Sequence, residues 1–183
     1  LMLTFPSLIP IIQKEYNVGL DTLGFVVSIS ALLFGLGAIP AGWLDRYLGG
    51  KKLMIIYQLG SSISAFVVAL SPNFITMVVG LSFIGLFCSI YHPTGLTLIS
   101  QSINKVSKGM AVHGMFGSLG SAFGPLLAVS LAGLISWRAS YFTLGILNGI
   151  LALITFINIP NKSQFINRQS ESSNRKTNKT ALI

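Results

Sequence analysis

Residues 53–104 read LMIIYQLGSSISAFVVALSPNFITMVVGLSFIGLFCSIYHPTGLTLISQSIN, 52 consecutive positions without Asp, Glu, Lys or Arg. A hydrocarbon layer about 30 Å thick is crossed by about 20 helical residues rising 1.5 Å each. The stretch is too long for one crossing and suits two. Ser71-Pro72-Asn73 divides it, because Ser and Asn favour turns and Pro cannot continue a helix. The reading predicts helices over 52–70 and 74–100. Three further charge-free runs lie outward of it, 22–44, 109–137 and 139–161. They predict helices over 21–44, 109–134 and 138–159.

Across all 183 residues only 9% are charged and 52% are hydrophobic, against about 25% charged in an ordinary soluble domain. A water-soluble globule of this size covers its surface with charge, and these runs leave none for it. A soluble enzyme, a nucleic-acid module and a secreted disulfide domain are excluded together. The expected fold class is all-α, a polytopic membrane protein. Before Lys14 the chain is apolar for 13 residues, too few to cross and without the basic start of a signal peptide. Six helices are therefore expected, the first truncated at its N-terminal side, in one membrane domain over 1–160.

Lys and Arg in the loops set the orientation. Ten of the twelve fall in 45–52, in 101–108 and after residue 161, and only Lys14 and Arg138 on the other side. The loop 45–52 and the tail are thus expected to be cytoplasmic, in a cell (inner) membrane. The net charge of +8 reads as topology and contact with the lipid bilayer, not nucleic-acid binding. Residues 161–183 turn rich in Ser, Asn and Lys and read as a disordered basic tail or linker. Cys88 is the only cysteine and reads as a small apolar filler. Neither cofactor nor metal is expected.

Apart from Asp21 and Asp45, at helix ends, the five complete helices hold no carboxylate. Ionisable groups inside a membrane are the default functional candidates, and His92 and His113 alone qualify. Either is a satisfied bundle imidazole or a cavity residue that binds substrate or relays protons. Gln58 and Asn148 are further polar candidates, for substrate or for bridging helices. Tyr57 reads as an interfacial anchor. Pro93 cannot donate to the Ser89 carbonyl, so the helix is expected to kink beside His92.

In the loop between the second and third helices, Gly42, Asp45, Arg46, Gly49, Lys51 and Lys52 stand close together. Glycine keeps the hairpin tight, and Asp45 is expected to accept hydrogen bonds from Arg46, Lys51 or a helix N-terminus. On the fifth helix His113, Gly117, Gly120 and Gly124 share one face. Gly120-x-x-x-Gly124 is a close-packing spacing, and with Pro125 it is also a bending point. Gly35 precedes Pro40 as Gly120 precedes Pro125, at matching places in two helix triplets.

The 42–52 loop resembles the signature between helices two and three of the major facilitator superfamily, in Asp45, Arg46 and the Lys51/Lys52 pair. Ala41 stands where that pattern has its first glycine, and Leu48 inserts one residue. The resemblance implies the N-terminal six-helix half of a transporter, with Asp45 and Arg46 in a conformational latch. Gly120, Gly124 and Pro125 resemble part of the superfamily's antiporter motif. Tyr91-His92-Pro93 resembles its fosmidomycin-resistance-like branch, and Ser136-Trp137-Arg138 resembles the superfamily's Trp-Arg start of the sixth helix. The implied function is alternating-access transport of a small-molecule substrate, proton-coupled efflux of a drug-like compound. A missing C-terminal six-helix half or a homodimer mate then completes the cavity. An accessory membrane subunit needs no site residues but leaves the 45–52 loop unexplained. An intramembrane protease would use Ser118 or Ser121 with His92 or His113, yet those serines sit among glycines without a Gly-x-Ser-Gly stretch.

Overall fold

A computed structural model describes residues 1–159. Seven helical segments follow in order, α1 Thr4–Tyr16, α2 Leu20–Leu48, α3 Gly50–Ala69, α4 Phe74–Cys88, α5 Tyr91–Ser102, α6 Val106–Leu134 and α7 Trp137–Asn158. The described residues are all-helical, as the charge pattern demands. In lipid every backbone polar group must be satisfied within its own segment, and a helix does this. Five crossings are long and apolar enough to span a bilayer, α4 and α5 together forming the third. The expected tail, 161–183, lies outside the described residues.

Local chemistry sets the boundaries. Asn73 caps α4, its Oδ1 accepting from the Thr76 amide at 2.9 Å, and Ser136 caps α7 by accepting from the Ala139 amide at 3.2 Å. Both satisfy an otherwise orphaned first-turn donor. Between α2 and α3 the chain turns on a single residue, Gly49, at φ 77°, a backbone region that side chains disfavour. Its amide donates to the Asp45 carbonyl at 3.0 Å.

The single helix expected over 74–100 is instead two segments. The interruption lies at Ser89 and Ile90, one turn before Pro93. Ser89 is the carbonyl that Pro93 cannot serve, so the helix opens at the acceptor end of the missing bond. There the Ile90 amide donates to Phe87, a tightened three-residue step, and the Thr94 amide resumes regular pairing with Ile90, both at 3.2 Å.

α3 is the central element, packed against α4 and α7, while α2 packs on α4. Small residues allow this. A Cβ added to Gly85 of α4 would lie 2.2 Å from the Ser30 carbonyl oxygen of α2. On the other flank of α4, a Cβ on Gly80 would lie 2.7 Å from Val68 of α3. Hydroxyls then bridge the close helices: Ser30 donates to the Leu81 carbonyl at 3.0 Å, Ser62 to Gly145 and Ser140 to Ala128 at 2.7 Å. Interhelical bonds of this kind are worth about 0.6 kcal/mol in lipid. The buried core runs through Leu8, Ile12, Leu23, Val68, Met77, Ile84 and Tyr141. α2 and α6 expose large apolar side chains such as Phe25, Ile39, Phe116 and Phe123.

Candidate functional site

Where α4 gives way to α5 the bundle encloses a cavity of about 310 Å³, lined from α2 by Phe34, from α3 by Tyr57, from α5 by Tyr91 and His92, and from α7 by Asn148. α6 adds a wall through Gly117, Gly120, Ser121, Gly124 and Pro125, and residues 1–4 at the start of α1 border it as well. Cys88 also borders it, buried and 3.6 Å from the Ser61 hydroxyl.

The sequence candidates divide here. His92 and Asn148 line the cavity and Gln58 does not. The Gln58 Oε1 is buried without a hydrogen-bond partner among the described residues. Tyr57 is no interfacial anchor: it lines the cavity, its ring 5.3 Å from that of Tyr91. His113 does not line the cavity directly, but its Nδ1 lies 3.3 Å from the Tyr91 hydroxyl and its ring 6.5 Å from that of His92. Phe34 meets His92 edge-on at 6.1 Å.

The glycine face of α6 takes up no neighbour within the described chain. A Cβ added at Gly114, Gly117, Gly120 or Gly124 would meet nothing within 4 Å. The close packing expected of Gly120-x-x-x-Gly124 is therefore not made among the described residues, and the face borders the cavity instead. α6 runs unbroken through Pro125 from Val106 to Leu134.

In the latch loop the local pairing expected of Asp45 is absent at one oxygen. Asp45 Oδ1 is buried and has no hydrogen-bond partner among the described residues. Lys51, one of its expected partners, lies instead over the Phe156 ring at 5.1 Å from the centroid.

At the opposite end of the bundle stands a network that the sequence reading passed over. Glu15 at the end of α1 accepts from the Trp137 indole N–H through Oε2 and from Arg138 Nη1 through Oε1. Arg138 Nη2 donates to the Tyr16 hydroxyl at 3.2 Å and to the Ser71 carbonyl at 3.3 Å. Burial raises the Glu15 pKa, but the bonds from Trp137 and Arg138 and the guanidinium charge outweigh it, leaving the carboxyl below its ordinary value. The signal was present in sequence as an acid at 15 and a base at 138 on the sparsely charged side, 123 residues apart.

A family profile described as Major Facilitator Superfamily matches residues 1–182. An uncharacterized MFS-type transporter of Bacillus subtilis, YybF, is 24% identical over 159 residues, 85% of this chain and 39% of the relative. A probable chloroplastic anion transporter of Arabidopsis thaliana is 28% identical over 91% of this chain and 31% of its own length. The probable nitrate transporter NarT of Staphylococcus aureus is 27% identical over 82% of this chain and 39% of the relative. The chain thus spans less than two-fifths of the length of these relatives.

Proposed function

We propose, from the premise that this chain belongs to the Major Facilitator Superfamily, that it forms one wall of the substrate pathway of a proton-coupled secondary transporter. Transport proceeds by alternating access around a site near the membrane midplane. The cavity beside α6 carries this reading: it brings residues of α2, α3, α5, α6 and α7 to one space whose glycine wall is open. The opposing wall comes from a second six-helix half or a second copy of this chain. Within this chain His92, which lines the cavity, and His113, hydrogen-bonded to Tyr91, are the groups that carry the proton. Asp45 and Arg46 latch the cytoplasmic end, the buried Asp45 oxygen accepting from the opposing half in one conformation. The Tyr91-His92-Pro93 phrase supports a fosmidomycin-resistance-like branch, and Gly120, Gly124 and Pro125 support efflux of a drug-like compound in an inner membrane, with the tail cytoplasmic.

A second reading, movement of a small anion with protons, is favoured by the two relatives whose names specify an anion and nitrate. One experiment separates the two. Everted vesicles carrying the chain are given an acid interior and are either offered radiolabelled chloramphenicol outside or loaded inside with radiolabelled nitrate. Chloramphenicol accumulation that collapses with the pH gradient supports efflux by exchange, and Asp45→Asn then abolishes it with the protein still inserted. Nitrate moving with the protons supports the second reading. Movement of neither overturns the proposal.

A further inference from the structure

The polar groups around the cavity are not neutral in hydrogen-bonding sense. Asn148 lines the cavity, and its Nδ2 already donates to the Leu144 carbonyl of its own helix at 2.9 Å. Its Oδ1 is left as an acceptor. Ser121 lines the opposite wall, and its hydroxyl already donates to the Gly117 carbonyl at 3.0 Å. Its oxygen lone pairs are left to accept. Both residues thus offer an acceptor, that of Asn148 beside its one remaining N–H.

Tyr91 decides the third. Its hydroxyl sits 3.3 Å from His113 Nδ1, in a geometry where either atom can be the donor. The two rings stack, their centroids 5.3 Å apart and their planes 30° from parallel. When the imidazole is neutral with its hydrogen on Nε2, Nδ1 accepts from Tyr91, and the tyrosine oxygen turns its lone pairs to the cavity. When a proton binds Nδ1, that N–H donates to the tyrosine oxygen. The hydroxyl hydrogen, which stays on tyrosine, must then rotate away from the imidazole. Tyr91 lines the cavity and His113 does not. One proton taken up outside the cavity therefore reverses the polarity of a group inside it.

We propose that Tyr91 is a substrate-binding residue and His113 the positioning residue that switches it. The substrate presents N–H or O–H donors to Tyr91, Asn148 and Ser121 while His113 is neutral, and protonation of His113 expels it by turning an acceptor into a donor. This rests on the reading of the cavity as a transport site and adds the substrate's hydrogen-bonding class and a route for exchange.

Other titratable groups facing this pair are His92 beside Tyr91 on α5, Tyr57 on α3 and Cys88 on α4. On α6 itself, Lys105 and Lys108 lie at or near the helix start. α1 and α7, packed on α6, place Lys14, Glu15 and Arg138 at the far end of the bundle, where Glu15 and Arg138 pair with each other. No Asp, Glu, Lys or Arg side chain lines the cavity.

The test uses the full chain in lipid nanodiscs. It holds two histidines, so nitrogen-15 histidine labelling, with His92→Gln for assignment, isolates the His113 ring. The expected neutral form has hydrogen on Nε2 and a bare, hydrogen-bonded Nδ1, and Tyr91→Phe shifts that tautomer balance. Chloramphenicol is an uncharged probe with two hydroxyls and one amide N–H. Its affinity is expected to be about tenfold lower in acid, with Nδ1 of His113 protonated, than with the ring neutral, the size of one lost and reversed hydrogen bond. Tyr91→Phe removes that pH dependence. A neutral His113 with hydrogen on Nδ1 overturns the proposal, as does a pH dependence that survives Tyr91→Phe or binding that tightens at low pH. If chloramphenicol does not bind the folded chain at all, the transport-site reading fails, while the tautomer measurement still decides the Tyr91–His113 arrangement.

Discussion

Replacing glycine with alanine at positions 85 and 120 adds the same methyl group to two helices of the same bundle, with opposite expected results. At Gly85 the new carbon lies 2.2 Å from the Ser30 carbonyl oxygen and 2.8 Å from its hydroxyl. Ordinary contact begins near 3.4 Å, so α2 and α4 must part by about 1.2 Å along that line. The obstacle is backbone, so no rotamer change relieves it. Displacement would also stretch the 3.0 Å bond from Ser30 to the Leu81 carbonyl. Overpacking of this kind costs about 1–3 kcal/mol, a 5- to 150-fold loss in the folded-to-unfolded ratio. At Gly120 the methyl meets nothing within 4 Å. There the helix gains up to about 1 kcal/mol of propensity, and the only loss is cavity space. Unfolding in detergent, followed through the chain's two tryptophans, should show Gly85→Ala clearly destabilised and Gly120→Ala equal to or above the parent. A Gly85→Ala protein within about 0.5 kcal/mol of the parent, the range of an inert surface change, refutes the close crossing.

The Glu15 network predicts a pH response. The carboxyl pKa is lower folded than unfolded, so its stabilisation is complete above the unfolded value of about 4.3. It fades as pH falls through the lower folded value. Thermal unfolding of the parent and of Glu15→Gln should therefore differ near neutral pH and converge in acid. Asn73→Ala removes the α4 cap and should cost about 1 kcal/mol, with amide exchange rising first at Thr76. Ser62→Ala deletes the α3–α7 bond to Gly145 and should cost about 0.6 kcal/mol, measurable by the same unfolding assay.

The five crossings were legible because the membrane imposes one coarse rule, and the charge-free runs obey it to within a few residues. Pro93 announced a disturbance but not its position, because proline removes a bond whose acceptor lies four residues upstream, so the helix opened at Ser89. The glycine face of α6 was visible as a stripe, yet spacing alone does not separate a face that packs from one that borders a cavity. That distinction depends on what stands opposite. Tyr57 shows the same limit: an aromatic a few residues inside a helix suits both an interface and a cavity wall, and only the tertiary partner, Tyr91, decides. Glu15 and Arg138 escaped because a pair 123 residues apart leaves no local pattern. Their meeting depends on α1 and α7 being neighbours, which hydropathy does not encode.

That tie between Glu15, Tyr16, Ser71, Trp137 and Arg138 also has a mechanical meaning. It fastens the end of α1, the turn before α4 and the start of α7 at one margin of the bundle, and so acts as a fulcrum. α7 extends 22 residues from it, a lever of about 33 Å at 1.5 Å per residue. A tilt of about 10° about the fastened margin would sweep its far end, where Phe156 meets Lys51, through about 6 Å, while residues beside the fulcrum would hardly move.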